Sequence, residues 1–262
     1  MAKKPTYRKK KPSKSTRRYF KIGLILLSPF LIYLSYYFYK EFKAGYIKYK
    51  AFGTYIPSNY DIHGIDVSRY QQIINWKAVK AMKVENVKVD FVFIKATQGT
   101  KTVDYQYFQN KLRAKSAGLT IGAYHFFVAS KDPIAQANLF SKVVSLKTGD
   151  LPPVVDVENE YGQSDEKIRK NLKTFIRLIE RKYGVKPIIY THANFYQNHL
   201  EGYFDEYPLW VAHYTKMGKP RVGKEWIFWQ LSEEAHVNGI EGYVDFNVFK
   251  DSKKEFNQLK IK

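Results

Sequence analysis

Strand-like and helix-like segments alternate from His63 to the end of the chain. Between the earlier strand candidates, apolar residues recur at helical spacing, as they do across residues 166–183. This alternation predicts an α/β fold with a parallel sheet, and eight strands predict closure as a (β/α) barrel similar to a TIM barrel. Because the last connections are too short for full helices, we expect an incomplete barrel. The strand candidates are residues 63–68, 89–96, 121–127, 153–158, 186–191, 208–214, 226–231 and 243–249.

Four acidic residues lie in or at the ends of these strand candidates. Asp156 and Glu158 end the fourth strand, Asp66 lies near the end of the first, and Asp245 lies in the eighth. Side chains at i and i+2 of a strand share a face, so Asp156 and Glu158 should project together. Two neighbouring carboxyl groups raise the pKa of at least one of them, as a proton donor near neutral pH requires. Any of the four could instead cap a helix or bind a backbone amide.

The N-terminal part of the chain has a different composition. The formal net charge is +20, and ten basic residues without an acid fall within residues 1–21. Residues 22–39 carry no charge and have an aromatic end, which predicts a membrane-spanning signal-anchor helix. The positive-inside rule then places residues 1–21 in the cytoplasm, residues 40–60 as a juxtamembrane stalk, and residues 61–262 outside as a catalytic domain.

Two alternatives to this interpretation of the N-terminal segment are weaker. The apolar stretch of a cleaved signal peptide would be shorter and would end in a small-x-small site. A nucleic-acid-binding role for the basic tail is disfavoured, because the span would leave that tail alone in the cytoplasm. We therefore predict no nucleic-acid partner.

Several kinds of chemistry find no support in the sequence. The chain has no cysteine, which excludes disulfides and thiol catalysis. It has no phosphate-binding glycine loop and no H-E-x-x-H motif. His125, His192 and His213 lie near strand ends without metal-ligand spacing. We expect no metal and no cofactor.

A series of short motifs, in this order and spacing, makes residues 63–249 similar to the glycoside hydrolase family 25 lysozymes, the muramidases of the Chalaropsis type. The resemblance implies cleavage of the β-1,4 bond between N-acetylmuramic acid and N-acetylglucosamine of peptidoglycan by a flattened, incomplete β/α barrel. With the predicted span, it implies a monomeric catalytic domain tethered outside a bacterial inner membrane. The motifs are Gly64–Ser68, Phe93–Thr97, Gly122–Phe126, Asp156–Glu158, Pro187–Tyr190, Leu209–Ala212, Trp229–Gln230 and Val244–Asn247.

The resemblance also assigns roles to the acidic residues. The general acid of the family corresponds to Glu158 and its strand partner to Asp156, while the two other acids of the groove correspond to Asp66 and Asp245. The family commonly has Glu where this chain has Gln98. We expect this change to affect binding in the groove or the tuning of a pKa without abolishing the reaction.

Other side chains near the strand ends are candidates for the sugar-binding wall, although inward packing in the barrel is an equal alternative for each. Aromatic rings would stack on pyranose faces and an amide would hydrogen-bond the sugar. The candidates are Tyr124, Tyr190, Trp210, Tyr214 and Gln230.

Three mechanisms are compatible with these residues. Asp156 could attack the anomeric carbon, or it could orient the 2-acetamido group of the substrate for that attack. Alternatively, Asp66 or Asp245 could position water in an inverting reaction. The tight spacing of Asp156 and Glu158 favours the acetamido route. A chitinase-like endo-N-acetylglucosaminidase and a non-catalytic wall-binding module remain alternative functions.

Overall fold

The computed structural model describes residues 14–43, 45–215 and 218–262. The chain divides into two compact units, residues 1–45 and residues 46–262. The described part of the first unit is a single helix, α1 (Lys14–Lys43). Most of the predicted basic tail, residues 1–13, lies outside the described residues.

The prediction of a membrane span at residues 22–39 is wrong. The segment is helical, but within the described residues no helix is both long enough and apolar enough to cross a membrane. Absence of charge is a weaker condition than apolarity, because eight of these eighteen residues are Gly, Ser, Pro or Tyr. The predicted single-pass anchor in a bacterial inner membrane, with its extracytoplasmic domain, depended on this span and is corrected with it.

The second unit contains strands and helices that alternate through most of its length. Among its described residues the strands are β1 (Tyr46–Tyr49), β2 (Thr54–Pro57), β3 (Ile62–Val67), β4 (Lys83–Val84), β5 (Val87–Gln98), β6 (Thr102–Val103), β7 (Thr120–Phe126), β8 (Val154–Asp156), β9 (Ile188–His192), β10 (Leu209–Ala212), β11 (Phe228–Ala235) and β12 (Val244–Phe249). The helices are α2 (Trp76–Ala81), α3 (Tyr107–Ser116), α4 (Pro133–Val143), α5 (Asp165–Tyr183), α6 (Ala193–Phe195) and α7 (Lys253–Leu259).

Eight of these strands form a closed ring of hydrogen-bonded neighbours. The order around the ring is β3, β12, β11, β10, β9, β8, β7 and β5, and β5 pairs back with β3. All neighbouring pairs are parallel except those of β12, which is antiparallel to both β11 and β3. The eight strands predicted from the sequence are these eight, with shifted ends.

The prediction of an incomplete, TIM-like (β/α) barrel is therefore wrong. The connection from β11 to β12 is short and lacks a helix, so β12 returns antiparallel and pairs on both of its edges. Closure of a barrel depends on strand pairing and does not require a helix after every strand. The short final connections, which suggested an open barrel, instead produce the reversed strand that completes it.

Aromatic side chains fill the interior of the ring. Phe93 stacks on Trp210 with ring centroids 4.5 Å apart, and Phe91 lies 5.1 Å from Phe228. Glycine is required beside these rings, since a Cβ at Gly64 would lie 2.4 Å from the Phe91 ring. The barrel is thus a packed core, and open space for a ligand remains only towards its ends.

The helices cover the outside of the barrel with apolar faces. Helix α5 begins at the cap residue Ser164, whose side chain accepts a hydrogen bond from the Lys167 backbone N–H, and it ends at Gly184 in the left-handed region. Its predicted apolar stripe is confirmed as buried: Leu172, Phe175, Ile176 and Ile179. Phe175 stacks on His125 of β7 with ring centroids 4.9 Å apart, so α5 packs against a strand that carries part of the candidate site.

Candidate active site

A groove of about 300 Å³ opens at the carboxyl ends of the parallel strands. This is the end at which barrel enzymes carry their functional groups. Of the ten site residues predicted from the sequence, the groove is lined by nine: Asp66, Tyr124, Asp156, Glu158, Tyr190, Trp210, Tyr214, Gln230 and Asp245.

The tenth predicted residue, Gln98, does not line the groove. Its Oε1 atom accepts a hydrogen bond of 2.9 Å from the Lys95 Nζ atom, and Lys95 does line the groove. The Lys95 ammonium also lies 4.4 Å from the centroid of the Phe126 ring. Gln98 therefore reaches the groove indirectly, by positioning a half-buried cation whose pKa is lowered by burial.

Asp156 and Glu158 project from the end of β8. The residue between them, Val157, is fully buried, and its backbone N–H continues the strand ladder by donating to the Tyr190 carbonyl at 3.0 Å. Extended backbone at this point places Asp156 and Glu158 on the same face. Asp156 is buried, while the Glu158 side chain is 22% exposed, so the two carboxyl groups lie at different depths of the groove wall.

Asp156 has an unsatisfied buried oxygen. Within the described part of the chain, its Oδ1 atom has no hydrogen-bond partner. Burial, followed by the charge of Glu158, raises the pKa of Asp156 well above its usual range, and the Lys95 cation opposes this effect. A buried carboxyl oxygen without a partner is costly, and a hydrogen-bond donor on a bound ligand would remove the cost.

Asp66 and Asp245 form a second pair of acids. They are direct cross-strand partners on β3 and β12 and hydrogen-bond each other. Burial, followed by the charge of Asp66, raises the pKa of Asp245 to about 9. Burial also raises the pKa of Asp66, to about 6, although hydrogen bonds from Asn247 and Gln230 oppose it. The two acids therefore share a proton near neutral pH.

Gln230 connects the aromatic wall to these acids. The Tyr190 and Tyr214 hydroxyl groups donate to its Oε1 atom at 2.8 and 2.6 Å. Its Nε2 atom donates to Asp66 Oδ1 at 2.9 Å. Gln230 thus uses its amide to orient Asp66. The direct hydrogen bond from Gln230 to a sugar stays a prediction.

Trp210 belongs to the barrel core as much as to the groove. It is 2% exposed, stacks on Phe93, and donates from Nε1 to Asn247 Oδ1 at 2.8 Å. Asn247 in turn donates to Asp66 Oδ1 at 2.7 Å. Most of the Trp210 side chain is therefore packed inward in the barrel, which is the alternative to stacking on a sugar.

His192 is a site residue that sequence reasoning did not select. It ends β9, and its Nε2 atom lies 3.1 Å from Glu158 Oε1. The hydrogen bond to Glu158 raises the pKa of His192, against the effect of burial. Its position at the carboxyl end of a barrel strand is the available signal, whereas metal-ligand spacing, the other sequence signal of a functional histidine, does not mark it. No group of three or more His, Asp or Glu side chains in the described ranges is arranged to hold a metal ion.

The Asp66–Asp245 pair predicts a pH-dependent stability. Asp245 keeps its proton to about pH 9 when folded, but only to about pH 4 when unfolded. The folded state binds more protons in this window, so stability falls as the pH rises through it. We expect Asp245→Asn to remove this loss, so that its effect on the free energy of unfolding becomes more favourable by up to about 4 kcal/mol from pH 5 to pH 8. Thermal unfolding at pH 5 and pH 8 measures the change.

The matched control for this prediction is Asp251→Asn, which changes an exposed acid beyond the end of β12. Its effect on the melting temperature should not vary between the two pH values. An Asp245→Asn effect that is equally independent of pH would contradict the shared proton.

Comparison with known proteins identifies the family of this chain. The sequence profile of glycosyl hydrolases family 25 matches residues 65–240, which include all ten predicted site residues except Asp245. The chain belongs to this family. It is a glycoside hydrolase, and its relatives with known names include lysozymes and muramidases.

Family 25 relatives occur among both sequences and solved structures. The chain is 44% identical to the "Uncharacterized protein YegX" of Escherichia coli (strain K12) over 211 residues, 80% of this chain and 78% of that one. It is 35% identical to the autolytic lysozyme of Clostridium acetobutylicum over 188 residues, 72% of this chain and 56% of that one. A family 25 glycosyl hydrolase from Bacillus anthracis matches it with a TM-score of 0.71 and 30% identity, covering 78% of this chain and 95% of that one.

Proposed function

We propose that this family 25 glycoside hydrolase cleaves the β-1,4 bond between N-acetylmuramic acid and N-acetylglucosamine of peptidoglycan, a step in breakdown or remodelling of the cell wall. The observation that carries the proposal is the pair Asp156 and Glu158 on one wall of the groove, with Asp156 Oδ1 unpartnered among the described residues. A sugar with a 2-acetamido group offers the N–H donor that this oxygen lacks. The names of the lysozyme and muramidase relatives support the same substrate.

Glu158 acts as the general acid in this proposal. Its carboxyl group lies nearer the solvent than that of Asp156, where it can reach a glycosidic oxygen that crosses the groove. As the bond between the anomeric carbon and this oxygen breaks, the electron pair stays on the oxygen, which takes the proton of Glu158. His192 holds the Glu158 carboxyl group in position through the 3.1 Å contact to its Nε2 atom.

Asp156 orients the acetamido group of the sugar whose bond is cleaved. Its Oδ1 atom accepts the N–H, and the acetamido oxygen attacks the anomeric carbon on the face opposite the leaving group. Both acids lie on the same wall because they come from one short stretch of strand, which favours this route over direct attack by Asp156. Water then attacks the anomeric carbon and gives a proton to the Glu158 carboxylate. The bond from that carbon to the acetamido oxygen breaks, and the product has retained configuration.

Substrate binding also affects the protonation of Asp156. An N–H bound to Asp156 favours its charged form and so opposes the pKa rise that burial causes.

Digestion of purified peptidoglycan by the full chain tests the proposal. We expect mass spectrometry to find new reducing ends on muramic acid, and NMR of early products to show a retained anomer. Reducing ends on glucosamine, or cleavage of soluble chitin oligomers at a comparable rate, would reassign the bond to an N-acetylglucosaminidase. An inverted anomer would exclude the acetamido route, and binding to the wall without any products would indicate a non-catalytic module.

A further inference from the structure

A two-stranded hairpin precedes the barrel and packs against it. Strands β1 and β2 pair antiparallel, and both lie outside the residues that match the family profile. Phe52, at the turn between them, is fully buried with its ring centroid 5.2 Å from that of Phe246. The His236 backbone N–H donates to the Phe52 carbonyl at 2.9 Å. The hairpin is therefore attached to the barrel by both apolar and backbone contacts.

The turn of the hairpin is held close to the end of β11. Gly53 has φ +68°, and a Cβ at this position would lie 2.8 Å from His236 Cδ2. Only glycine adopts this conformation without strain and also leaves room for the histidine ring. This close approach places the hairpin as a fixed wall beside β11.

A second cavity, of about 340 Å³, lies between the hairpin and β11. The hairpin contributes Lys48, Thr54 and Tyr55 to its lining, and β11 contributes Ser232 and Glu233. Tyr214 and Glu233 line both this cavity and the groove. The two spaces therefore adjoin, and together they extend the groove beyond the acids.

We propose that the cavity between the hairpin and β11 is a further subsite that binds a sugar unit of the glycan strand beyond those at the cleaved bond. This inference rests on the proposed function and specifies how much of the glycan strand the protein holds. The barrel closes without the hairpin. In this subsite the hairpin acts as a specificity element that favours long glycan strands.

The side chains of the cavity suit a neutral sugar. Tyr55 is half-buried and Tyr214 is 43% exposed, so both offer aromatic surface on which a pyranose can pack. Thr54, Ser232 and Glu233 supply hydroxyl and carboxylate groups for sugar hydroxyls. Lys48 lies across from Tyr55 in the hairpin, with Nζ 5.7 Å from the ring centroid, and holds that ring in place. The volume falls at the lower end of that of ligand sites, about 300–1,000 Å³, which fits one sugar unit.

The test compares glycan strands of two lengths, freed from their stem peptides. In the full chain, we expect Tyr55→Ala to lower kcat/KM for an octasaccharide by about 10-fold and for a tetrasaccharide much less. The control is Tyr203→Ala, which removes an exposed tyrosine that lines neither cavity and should affect neither substrate. An equal effect of Tyr55→Ala on both lengths, or none on either, would overturn the proposal. So would an effect seen only with peptide-bearing strands, which would assign the cavity to the stem peptide.

A binding measurement keeps this test separate from the proposed function. In the Glu158→Gln background, calorimetry should show Tyr55→Ala weakening octasaccharide binding by about 10-fold with tetrasaccharide binding nearly unchanged. If the wild type cleaves neither substrate, the proposed function fails, and this length-dependent binding still decides whether the subsite exists. If Glu158→Gln bound the octasaccharide with the same affinity with and without Tyr55→Ala, the subsite would be excluded.

Discussion

Glu158→Gln should lower the rate of peptidoglycan cleavage by on the order of 10³-fold, the range typical for removal of a general acid. Glutamine preserves the shape of the side chain and can still accept the hydrogen bond from His192 Nε2, but it has no acidic proton to give the glycosidic oxygen. Release of reducing ends from purified peptidoglycan measures the effect. The loss should appear in kcat, because the bound substrate is held mainly by other side chains of the groove.

Glu160→Gln is the matched control for this variant. Glu160 is two residues along the same segment, and its side chain is 48% exposed and pairs with His199, away from the groove lining. The control should keep wild-type activity, and both variants should keep the wild-type melting temperature to within a few degrees. If Glu158→Gln retained more than about a tenth of the activity, Glu158 would not be the general acid.

Asp156→Asn should reduce kcat by on the order of 10²-fold without loss of stability. Asparagine presents either an N–H group or a weaker acceptor to the acetamido N–H, so the acetamido oxygen is no longer held for attack. The melting temperature should stay equal or rise, because burial already raises the pKa of this acid and so disfavours its charged form. Steady-state kinetics on the octasaccharide and thermal unfolding at neutral pH measure the two effects.

The control for this variant is Asp90→Asn, which changes an acid paired with Lys88 outside the groove. It should leave kcat unchanged. If Asp156→Asn instead lowered the melting temperature by as much as a core substitution does, the loss of activity would reflect unfolding. An unchanged kcat together with unchanged stability would remove Asp156 from the reaction.

Much of the site could be predicted because strand ends carry local signals. Asp156 and Glu158 share a face through the two-residue period of a strand, which is a property of the backbone and needs no tertiary contact. Their placement at the carboxyl end of β8, and that of Asp66 in β3, follows once the strands are recognised. The prediction of a membrane span fails for a related reason. The lack of charge in residues 22–39 is a local pattern, and it does not make the helix apolar enough to cross a membrane.

Partners between distant residues could not be predicted from local patterns. Gln230 bonds Asp66 across 164 residues of sequence. The pairing of His192 with Glu158 needs β8 and β9 to be neighbours in the ring. The strands β1 and β2 were not predicted either, since they are short and their stability comes from burial of Tyr49, Phe52 and Ile56.

The sequence by itself determined the eight barrel strands, the family of the chain and the set of acids at the strand ends. These depend on residue type and on the short repeat distances of strands and helices. The tertiary structure decided that the barrel closes, because closure rests on hydrogen bonds of the reversed strand β12 to both neighbours. It also decided the depth and proton sharing of each acid, since burial and the charges of residues distant in sequence set these pKa values.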